Sequence, residues 1–309
     1  ACREHYREKH RLELREDRQV QTVGLFEGDV LIATMKLILF SMNCFGRMQT
    51  ACGLMALEVH PLHKKQGAAL EMIRYFEDYA RRHGALLTLL LPFQISFYRR
   101  MGYGFAGKLY EYHLPTAVLP KPEGEARRHL RLLQPEDFDR VLACHSRFAA
   151  QNHGMVEKFE EEVRAARTDV QVRRIGYCAD DGKLRGYVAY RFESASDTNY
   201  TRNRLSVEEL VYDDGVVLRA LLGALKLQED LAQTVLLRTG EEDFHHLLED
   251  PQDVSGNYID YGFLQTNVSA IGTMFKLLDP AAFVTATAYR TLPQGTLTAA
   301  FCYRDELAH

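Results

Sequence analysis

One order of secondary-structure elements occurs twice along the 309 residues of this chain. Each half reads as a helical segment, a β-hairpin, a strand, a helix, a strand, a further helix and a last strand. The two halves do not align residue by residue, so the repetition is one of architecture and not of sequence. At roughly 150 residues per domain, the length suits two such domains with a fragment of a third.

The first half shows the pattern most clearly. Its hairpin consists of "RQVQTVGLF" and "VLIATMKLILF" around the turn "EGD", and a strand from about Gln49 to Val59 follows. Apolar residues then recur at a spacing that predicts one buried helix face: Leu70, Ile73, Phe76, Tyr79 and Ala80. The run "ALLTLLL" is typical of a strand covered on both faces. "ISFYRRM" and "YGFAGKLYEYHL" predict a brief helix and a last strand.

A segment rich in proline and charge, "PTAVLPKPEGEARRH", separates the halves and places a domain boundary near residues 116–129. The second half predicts helical segments at about 135–150 and 157–167, followed by a hairpin with an Asp-Gly turn. Further predicted elements are the strand "RLSVEELVY", the helix "GVVLRALLGALKLQED", the strand "TVLLR", a helix around "EDFHHLLED" and strands near "YIDYGFLQ" and "IGTMFKLLD".

Charge and hydropathy exclude several classes of partner. A net charge of −4 does not favour a large electropositive surface for nucleic acid. The longest apolar run, "ALLTLLLPF", is far shorter than the roughly 20 residues of a membrane-spanning helix. The charged opening "ACREHYREKHRLELRED" does not have the pattern of a signal peptide. We therefore expect a cytoplasmic protein without nucleic-acid or membrane partners.

The six cysteines are scattered and form no CxxC pair, which indicates reduced, buried thiols. The histidine pairs in "HPLH" and "HH" lack a third ligand or the spacing of a zinc site. The sequence therefore predicts no metal site.

The junction "VHPLHKKQGAAL" places glycine and positive charge at the start of a helix. The first four N–H groups of a helix lack intrahelical partners, and the helix dipole adds partial positive charge there. A glycine at this point lets an anionic ligand approach the backbone closely. The matching junction of the second half, "VYDDGVVL", has Asp213 and Asp214, which cap a helix but repel a phosphate. Together the two junctions predict one anion site, in the first half.

Two motifs of the first half resemble those of the GNAT acyltransferases. "KKQGAA" fits the loop pattern basic/Gln-x-x-Gly-x-Gly/Ala, with a lysine at the first position in place of Arg or Gln. Taken alone, this loop is better explained as a tight turn with a solvated lysine pair. One strand later, "FYRRMGYGF" matches the pattern Phe-Tyr-x-x-x-Gly-Tyr/Phe. The two motifs in this order carry the resemblance.

The resemblance implies an α/β (α+β) chain of tandem GNAT acyl-CoA N-acyltransferase folds, with mixed, mostly antiparallel sheets and flanking helices. It implies that acetyl-CoA is held by backbone or loop groups of Leu57, Val59, Lys64, Lys65, Gln66, Gly67, Ala68 and Ala69. It also implies that Tyr98 is the catalytic acid that protonates the departing thiolate, although an aromatic packed under a short helix explains this residue alone. Between the two strand positions, we expect Glu58 on the opposite sheet face, more readily as a surface carboxylate than as a buried base.

A tandem pair with a single cofactor loop is similar to the enhanced-intracellular-survival (Eis) type of acetyltransferase. The stretches "RGYVAYRFE" and "VEELVYDD" support this, and "GTMFKLLDPAAFV" resembles the start of that family's sterol-carrier-like domain. We expect a first GNAT domain at 1–118 without its front end, a second without a cofactor loop at 119–268, and part of a third domain at 269–309. In that family the terminal carboxylate serves as the base. Because the third domain is short here, we do not extend this role to His309.

The expected function is direct transfer of acetyl from acetyl-CoA to a primary amine of a small molecule, such as a polyamine or aminoglycoside, or to lysine. The resemblance also implies a homo-oligomer, with a hexamer as one form. Two alternatives stay open: a tandem scaffold or acyl-CoA sensor without turnover, and a transferase that uses another acyl donor.

Overall fold

The computed structural model describes residues 19–122 and 124–287, which divide into two compact units. Of these residues, unit 1 contains 19–106, 149–163 and 272–287, and unit 2 contains 107–148 and 164–271. The described strands are β1 (Val20–Glu27), β2 (Val30–Cys44), β3 (Arg47–Val59), β4 (Leu87–Leu90), β5 (Gly104–Phe105), β6 (Lys108–Pro115), β7 (Leu130–Leu132), β8 (Arg173–Cys178), β9 (Leu184–Ser194), β10 (Asn203–Tyr212), β11 (Thr234–Thr239), β12 (Val268–Ile271) and β13 (Met274–Leu277).

The described α-helices are α1 (Ala68–Arg82), α2 (Ile95–Arg99), α3 (Gly124–Arg128), α4 (Phe138–Gln151), α5 (Glu160–Thr168), α6 (Gly215–Lys226) and α7 (Pro280–Ala286). Short 3-10 turns occur at Pro61–His63, Thr116–Val118, Pro135–Asp137, Phe244–Leu247 and Asp260–Gly262. No helix in the described part of the chain is long and apolar enough to cross a lipid bilayer.

The sheet of unit 1 has the strand order β1-β2-β3-β4-β13-β5. Its neighbours are antiparallel except for β3 and β4, which are parallel. Helix α1 buries one face in the core of this unit, with Met72, Ile73, Phe76 and Ala80 all at most 2% exposed. The apolar spacing of the sequence therefore identifies the buried face of this helix.

The sheet of unit 2 has the order β12-β6-β11-β10-β9-β8-β7. Here too a single neighbouring pair, β10 and β11, is parallel. Helix α6 connects this parallel pair, as α1 connects β3 and β4. The predicted fold class is confirmed: two mixed, mostly antiparallel sheets with flanking helices.

One strand in each sheet lies outside the half to which the sequence assigned it. β6 follows β5 along the chain but pairs with β11 and β12 in unit 2. β13 follows the second half but lies between β4 and β5 in unit 1. The sequence assigned β6 to the first half and β13 to a third domain, because a local pattern identifies a strand but not its partner. The limits of the units consequently differ from the predicted boundaries at 118 and 268.

Two element predictions in the second half are wrong. "YIDYGFLQ" is not a strand: Tyr261 has a φ of 68° within a short turn, and its side chain is almost fully exposed. A left-handed residue next to Gly262 turns the backbone away from an extended path. "EDFHHLLED" forms only the 3-10 turn Phe244–Leu247. The end of the predicted third domain, including His309, lies outside the described residues.

Candidate active site

β3 and β4 diverge next to the start of helix α1. Their parallel pairing covers only four residues of each strand and ends where Leu54 meets Leu90. β3 continues beyond this point to Val59. One edge of residues 55–59 therefore has no strand partner from β4, so backbone groups of this segment can face a ligand.

A β-bulge lies in the same segment of β3. Thr34 of β2 pairs with Glu58, whereas Lys36 pairs with Met55, so two residues of β3 oppose one residue of β2. One of the two, Ala56, has a φ of 49°, a left-handed value that is uncommon for any residue other than glycine. Bulges of this kind bend a strand and redirect its groups. The bulge thus sets the direction of Leu57, a residue that the sequence assigned to the donor site.

Helix α1 begins at an N-terminus that no side chain caps. Its N-cap residue is Gly67, with a φ of 94°, a region that glycine adopts at little cost. The first intrahelical bond runs from Glu71 N to Gly67 O over 3.1 Å, so the N–H groups before Glu71 lack intrahelical acceptors. In the preceding loop, Gln66 Nε2 donates to Leu62 O over 3.2 Å. The side chain of Gln66 therefore forms its hydrogen bond within the loop itself.

A cavity of about 860 Å³ lies beside this helix start. Seven of the eight residues that the sequence assigned to the cofactor line it: Leu57, Val59, Lys64, Lys65, Gly67, Ala68 and Ala69. Gln66 does not line the cavity. Glu58 also lines it and is exposed, so it is not a buried base. The bulged strand and the uncapped helix thus meet at one cavity.

The charges on the cavity wall favour an anion. Lys64, Lys65 and Arg100 contribute three cationic side chains, while Glu58 contributes a carboxylate. Cations and uncapped helix N–H groups at one wall are the features that hold phosphate groups in proteins. The cavity therefore fits a ligand with an anionic part at the α1 end.

Tyr98 lies behind the cavity wall. It is 2% exposed, and its ring contacts the rings of Phe93 and Phe97, at 5.6 Å and 5.0 Å between centroids. Both phenylalanines line the cavity, whereas Tyr98 does not. Burial raises the pKa of Tyr98 to about 12. Its hydroxyl makes no hydrogen bond within the described residues, so it keeps its proton at neutral pH without a protein acceptor.

The wall also includes Phe93, Phe97 and Arg100, which were not singled out from the sequence. Arg100 is the C-cap residue of α2 and keeps helical dihedral angles, so it lies on the same face as Phe97, three residues earlier. The signal was present in "FQISFYRR", but only the orientation of α2 shows that this face, and not the face of Tyr98, meets the cavity.

Unit 2 repeats the backbone arrangement but not the open helix start. Its parallel pairing also covers four residues of each strand, and a register irregularity follows directly between Val207 and Glu209. The N-terminus of α6, however, is capped by Asp214, whose Oδ1 accepts from the N–H groups of Val216 and Val217 at 3.0 Å. These bonds, led by the one from Val217, lower the pKa of Asp214. Arg185 pairs with the same carboxylate at 2.7 Å.

A cavity of about 630 Å³ touches Asp214 and Gly215 in this unit. It differs from the cavity of unit 1, because a carboxylate of the chain already occupies the helix N–H groups. The two junctions that the sequence distinguished by charge thus hold one uncapped and one capped helix start. Within residues 19–122 and 124–287, no group of three or more His, Cys, Asp or Glu side chains is placed to hold a metal ion.

Two stretches of the chain match family models. Residues 3–106 match a family described as "Acetyltransferase (GNAT) domain", and residues 154–264 match a second family with the same description. Together the two matches cover more than half of the chain. No curated protein matches it in sequence.

Solved structures share the fold. A probable N-acyltransferase from Enterococcus faecalis V583 has a TM-score of 0.69 at 17% identity, over 84% of this chain and 63% of that one. A GCN5-related N-acetyltransferase from Kribbella flavida has a TM-score of 0.69 at 22% identity, over 93% of this chain and 66% of that one. Eis1 from Mycobacterium abscessus has a TM-score of 0.68 at 21% identity, over 87% of this chain and 67% of that one.

The chain thus spans about two thirds of the length of these structures. At such identities the similarity shows the fold alone, and that fold includes the tandem arrangement of an Eis protein. With both family matches and this fold, the chain belongs to the GNAT acetyltransferases and carries two GNAT domains in tandem.

Proposed function

We propose that unit 1 binds acetyl-CoA and transfers its acetyl group directly to a primary amine. The observation that carries this proposal is the uncapped start of α1 at Gly67, which opens onto a cavity of about 860 Å³. This volume is within the range of about 300–1,000 Å³ typical of small-molecule sites. The N–H groups at this helix start, with Lys64 and Lys65, would hold the diphosphate of the co-substrate.

The bulged segment of β3 would orient the acyl end. Leu57 and Val59 line the cavity, and β4 leaves one edge of their backbone unpaired. A fixed backbone N–H donor aimed at a carbonyl oxygen stabilises the negative charge that develops there during attack. In other enzymes such a donor contributes roughly 3–4 kcal/mol. We assign this role to the backbone of residues 55–59.

Tyr98 would supply the proton for the departing thiolate. The pKa of about 12 that burial gives Tyr98 is far above neutral pH. The phenol therefore stays protonated at neutral pH and can donate to sulfur, as a general acid does. The contact of its ring with Phe93 and Phe97 supports a position next to the inner end of the cavity.

The acceptor in this proposal is a cationic small molecule of the polyamine or aminoglycoside type, or a lysine side chain. Glu58 is an exposed carboxylate on the cavity wall. It lies next to both residues assigned to the acyl end, so it can attract an ammonium group to the point of transfer. The amine attacks in its neutral form, and proximity within one ternary complex would supply much of the rate.

Two measurements test the proposal together. Calorimetry should show acetyl-CoA binding with one site per chain, because only α1 has an uncapped N-terminus among the two corresponding helices. Thiol release with a panel of polyamines, aminoglycosides and lysine peptides should identify an acceptor. Binding without turnover on any acceptor would favour the sensor or scaffold. Turnover only with another acyl-CoA in a donor panel would favour the alternative donor.

We also propose that the protein is a homo-oligomer, with a hexamer as one form, and that it acts in a reducing, cytoplasmic setting. The resemblance to Eis proteins supports the first proposal. The second is supported by Cys44, Cys52, Cys144 and Cys178, which are free thiols. Light scattering measures the mass of the assembly, and thiol titration of freshly isolated protein measures the redox state.

A further inference from the structure

Unit 1 contains a buried ion pair that the proposed chemistry does not use. Lys276 Nζ of β13 lies 3.2 Å and 3.0 Å from the two carboxylate oxygens of Glu77 on α1. Both side chains are only 2% exposed. Arg81, one turn later on α1, is 3.6 Å from the same carboxylate and is partly exposed. Lysine and glutamate are almost never fully buried unless paired, so this pair requires an explanation.

The pair determines which face of β13 points inward. Along this strand Met274 and Lys276 are buried, while Phe275 and Leu277 are partly exposed. A slip by one residue would move Lys276 to the opposite face and leave the buried Glu77 with only the partly exposed Arg81 as a cation. The specification of register is among the best-attested uses of a buried polar or ionic group. β13 needs such a group, because it enters this sheet from a distant part of the chain.

A short series of contacts connects β13 to Tyr98. The hydroxyl of Thr88, fully buried on β4, lies 3.4 Å from Lys276 O and 3.3 Å from the hydroxyl of Tyr103. The ring of Tyr103 packs edge-on against Tyr98, with 6.0 Å between centroids. Met274 belongs to the same apolar cluster as both tyrosines. A shift of β13 would therefore displace the neighbours that hold Tyr98.

We propose that the Glu77–Lys276 ion pair is a positioning device that fixes the register of β13 and, through Tyr103 and Met274, holds Tyr98 in its reactive place. This proposal rests on the proposed acetyltransferase function. Glu77 and Lys276 are positioning residues: neither lines the cavity.

The decisive variant replaces both charges by apolar groups, Glu77→Leu together with Lys276→Met. Such replacements of a buried pair are often neutral or stabilising, so the melting temperature should equal or exceed that of the wild type. The affinity for coenzyme A should not change. The value of kcat should nevertheless fall by about tenfold or more, because a small displacement of a reacting group is costly. Lys276→Arg keeps the cation and should retain most of the kcat.

Hydrogen exchange of the amides of residues 274–277 provides a readout that does not depend on turnover. These amides should exchange faster in the double variant than in the wild type, since β13 would sample more than one register. Wild-type kcat or wild-type exchange in the double variant would overturn the positioning role. An inactive wild-type protein would overturn the proposed function instead, and the exchange measurement would still decide the role of the pair.

Discussion

At the scale of single residues, Tyr98 is buried, and the proposed mechanism makes it the proton donor. Its ring is held by Phe93 and Phe97 on one side and by Tyr103 on the other. Desolvation raises its pKa to about 12, so the phenol keeps its proton at neutral pH and is available as a donor to a sulfur atom that gains negative charge. The same burial keeps the ring in one orientation, which a proton donor needs.

Replacing Tyr98 by phenylalanine should reduce kcat by about 10²–10⁴-fold, the usual contribution of a general acid. The affinity for coenzyme A should stay the same, because the ring that supports the cavity wall is retained. Steady-state kinetics and calorimetry measure the two effects. Tyr79→Phe is a matched control, since it also removes the hydroxyl of a buried tyrosine in the same apolar cluster. Equal turnover in Tyr98→Phe and wild type would remove this residue from the mechanism.

The sequence could predict that Gly67 and the lysines lie together at an open helix start, because that placement depends on local backbone and charge. It could not predict Phe93 or Arg100, because their contribution depends on how α2 turns against the cavity. It identified Tyr98 from a motif but not its position behind the wall, which depends on packing with Tyr103. The sequence therefore indicated the local backbone and charge, whereas the exposure of each side chain to the cavity depended on the tertiary structure.

At the scale of elements, two corresponding helix starts have opposite properties. The N-terminus of α1 is open at Gly67, and the N-terminus of α6 is closed by Asp214. A carboxylate in the α6 position stabilises the helix by accepting from its free N–H groups. The same carboxylate excludes a phosphate. The difference was visible in the sequence, since "KKQG" and "YDDG" occupy equivalent junctions.

Replacing Gly67 by aspartate should abolish detectable coenzyme A binding, because it places a negative charge where the diphosphate would lie. Gly84→Asp is the matched control: Gly84 follows the C-terminal end of the same helix and also has a positive φ, of 72°. Both variants carry comparable backbone strain, so both should melt at lower temperature than the wild type. Calorimetry should show lost binding in Gly67→Asp alone. Unaltered binding in that variant would contradict the placement of the diphosphate.

Replacing Asp214 by alanine should lower the free energy of unfolding by about 1 kcal/mol at neutral pH, the typical value of an N-cap. Because hydrogen bonds lower the pKa of this carboxyl from 3.8 in the folded protein, its contribution is present above that value. The contribution is lost as the pH falls through the folded-state pKa. The difference between wild type and variant should therefore shrink in acid, as urea unfolding at several pH values would show.

Asp214→Asn is the control for this effect, because asparagine caps helices nearly as well without titrating. Its free energy of unfolding should be close to that of the wild type at neutral pH, and its advantage over Asp214→Ala should vary little between neutral and acidic pH. A difference for Asp214→Ala that grows as the pH falls would contradict the assignment of the cap.

At the scale of the whole molecule, the two sheets use the chain differently. The sheet of unit 2 consists of the consecutive strands β6 to β12, whereas the sheet of unit 1 combines β1 to β5 with the distant β13. The sequence indicated β6 and β13 as strands but not the sheet to which each belongs, because the alternating pattern of a strand does not identify its partner. The architecture of each half was therefore predictable, while the path of the chain between the halves was not.

A fragment of residues 1–118 should not fold cooperatively. It lacks β13, so β4 and β5 lose the strand between them, and it carries β6 without β11. Dispersion of amide resonances and thermal melting measure the fold. Addition of a second fragment with residues 119–309 should restore both signals. A well-dispersed spectrum of the first fragment alone would contradict this expectation.

The pairing of the late strand β13 with β4 also has a consequence for synthesis of the protein. On the ribosome, the free edge of β4 cannot be covered until residue 277 has emerged, almost two hundred positions after Leu87. Until then the nascent chain carries an unpaired strand edge and an incompletely covered apolar cluster, both of which favour aggregation. Translation speed and chaperone supply should therefore govern the yield of native protein more strongly than for a chain whose domains mature one after the other.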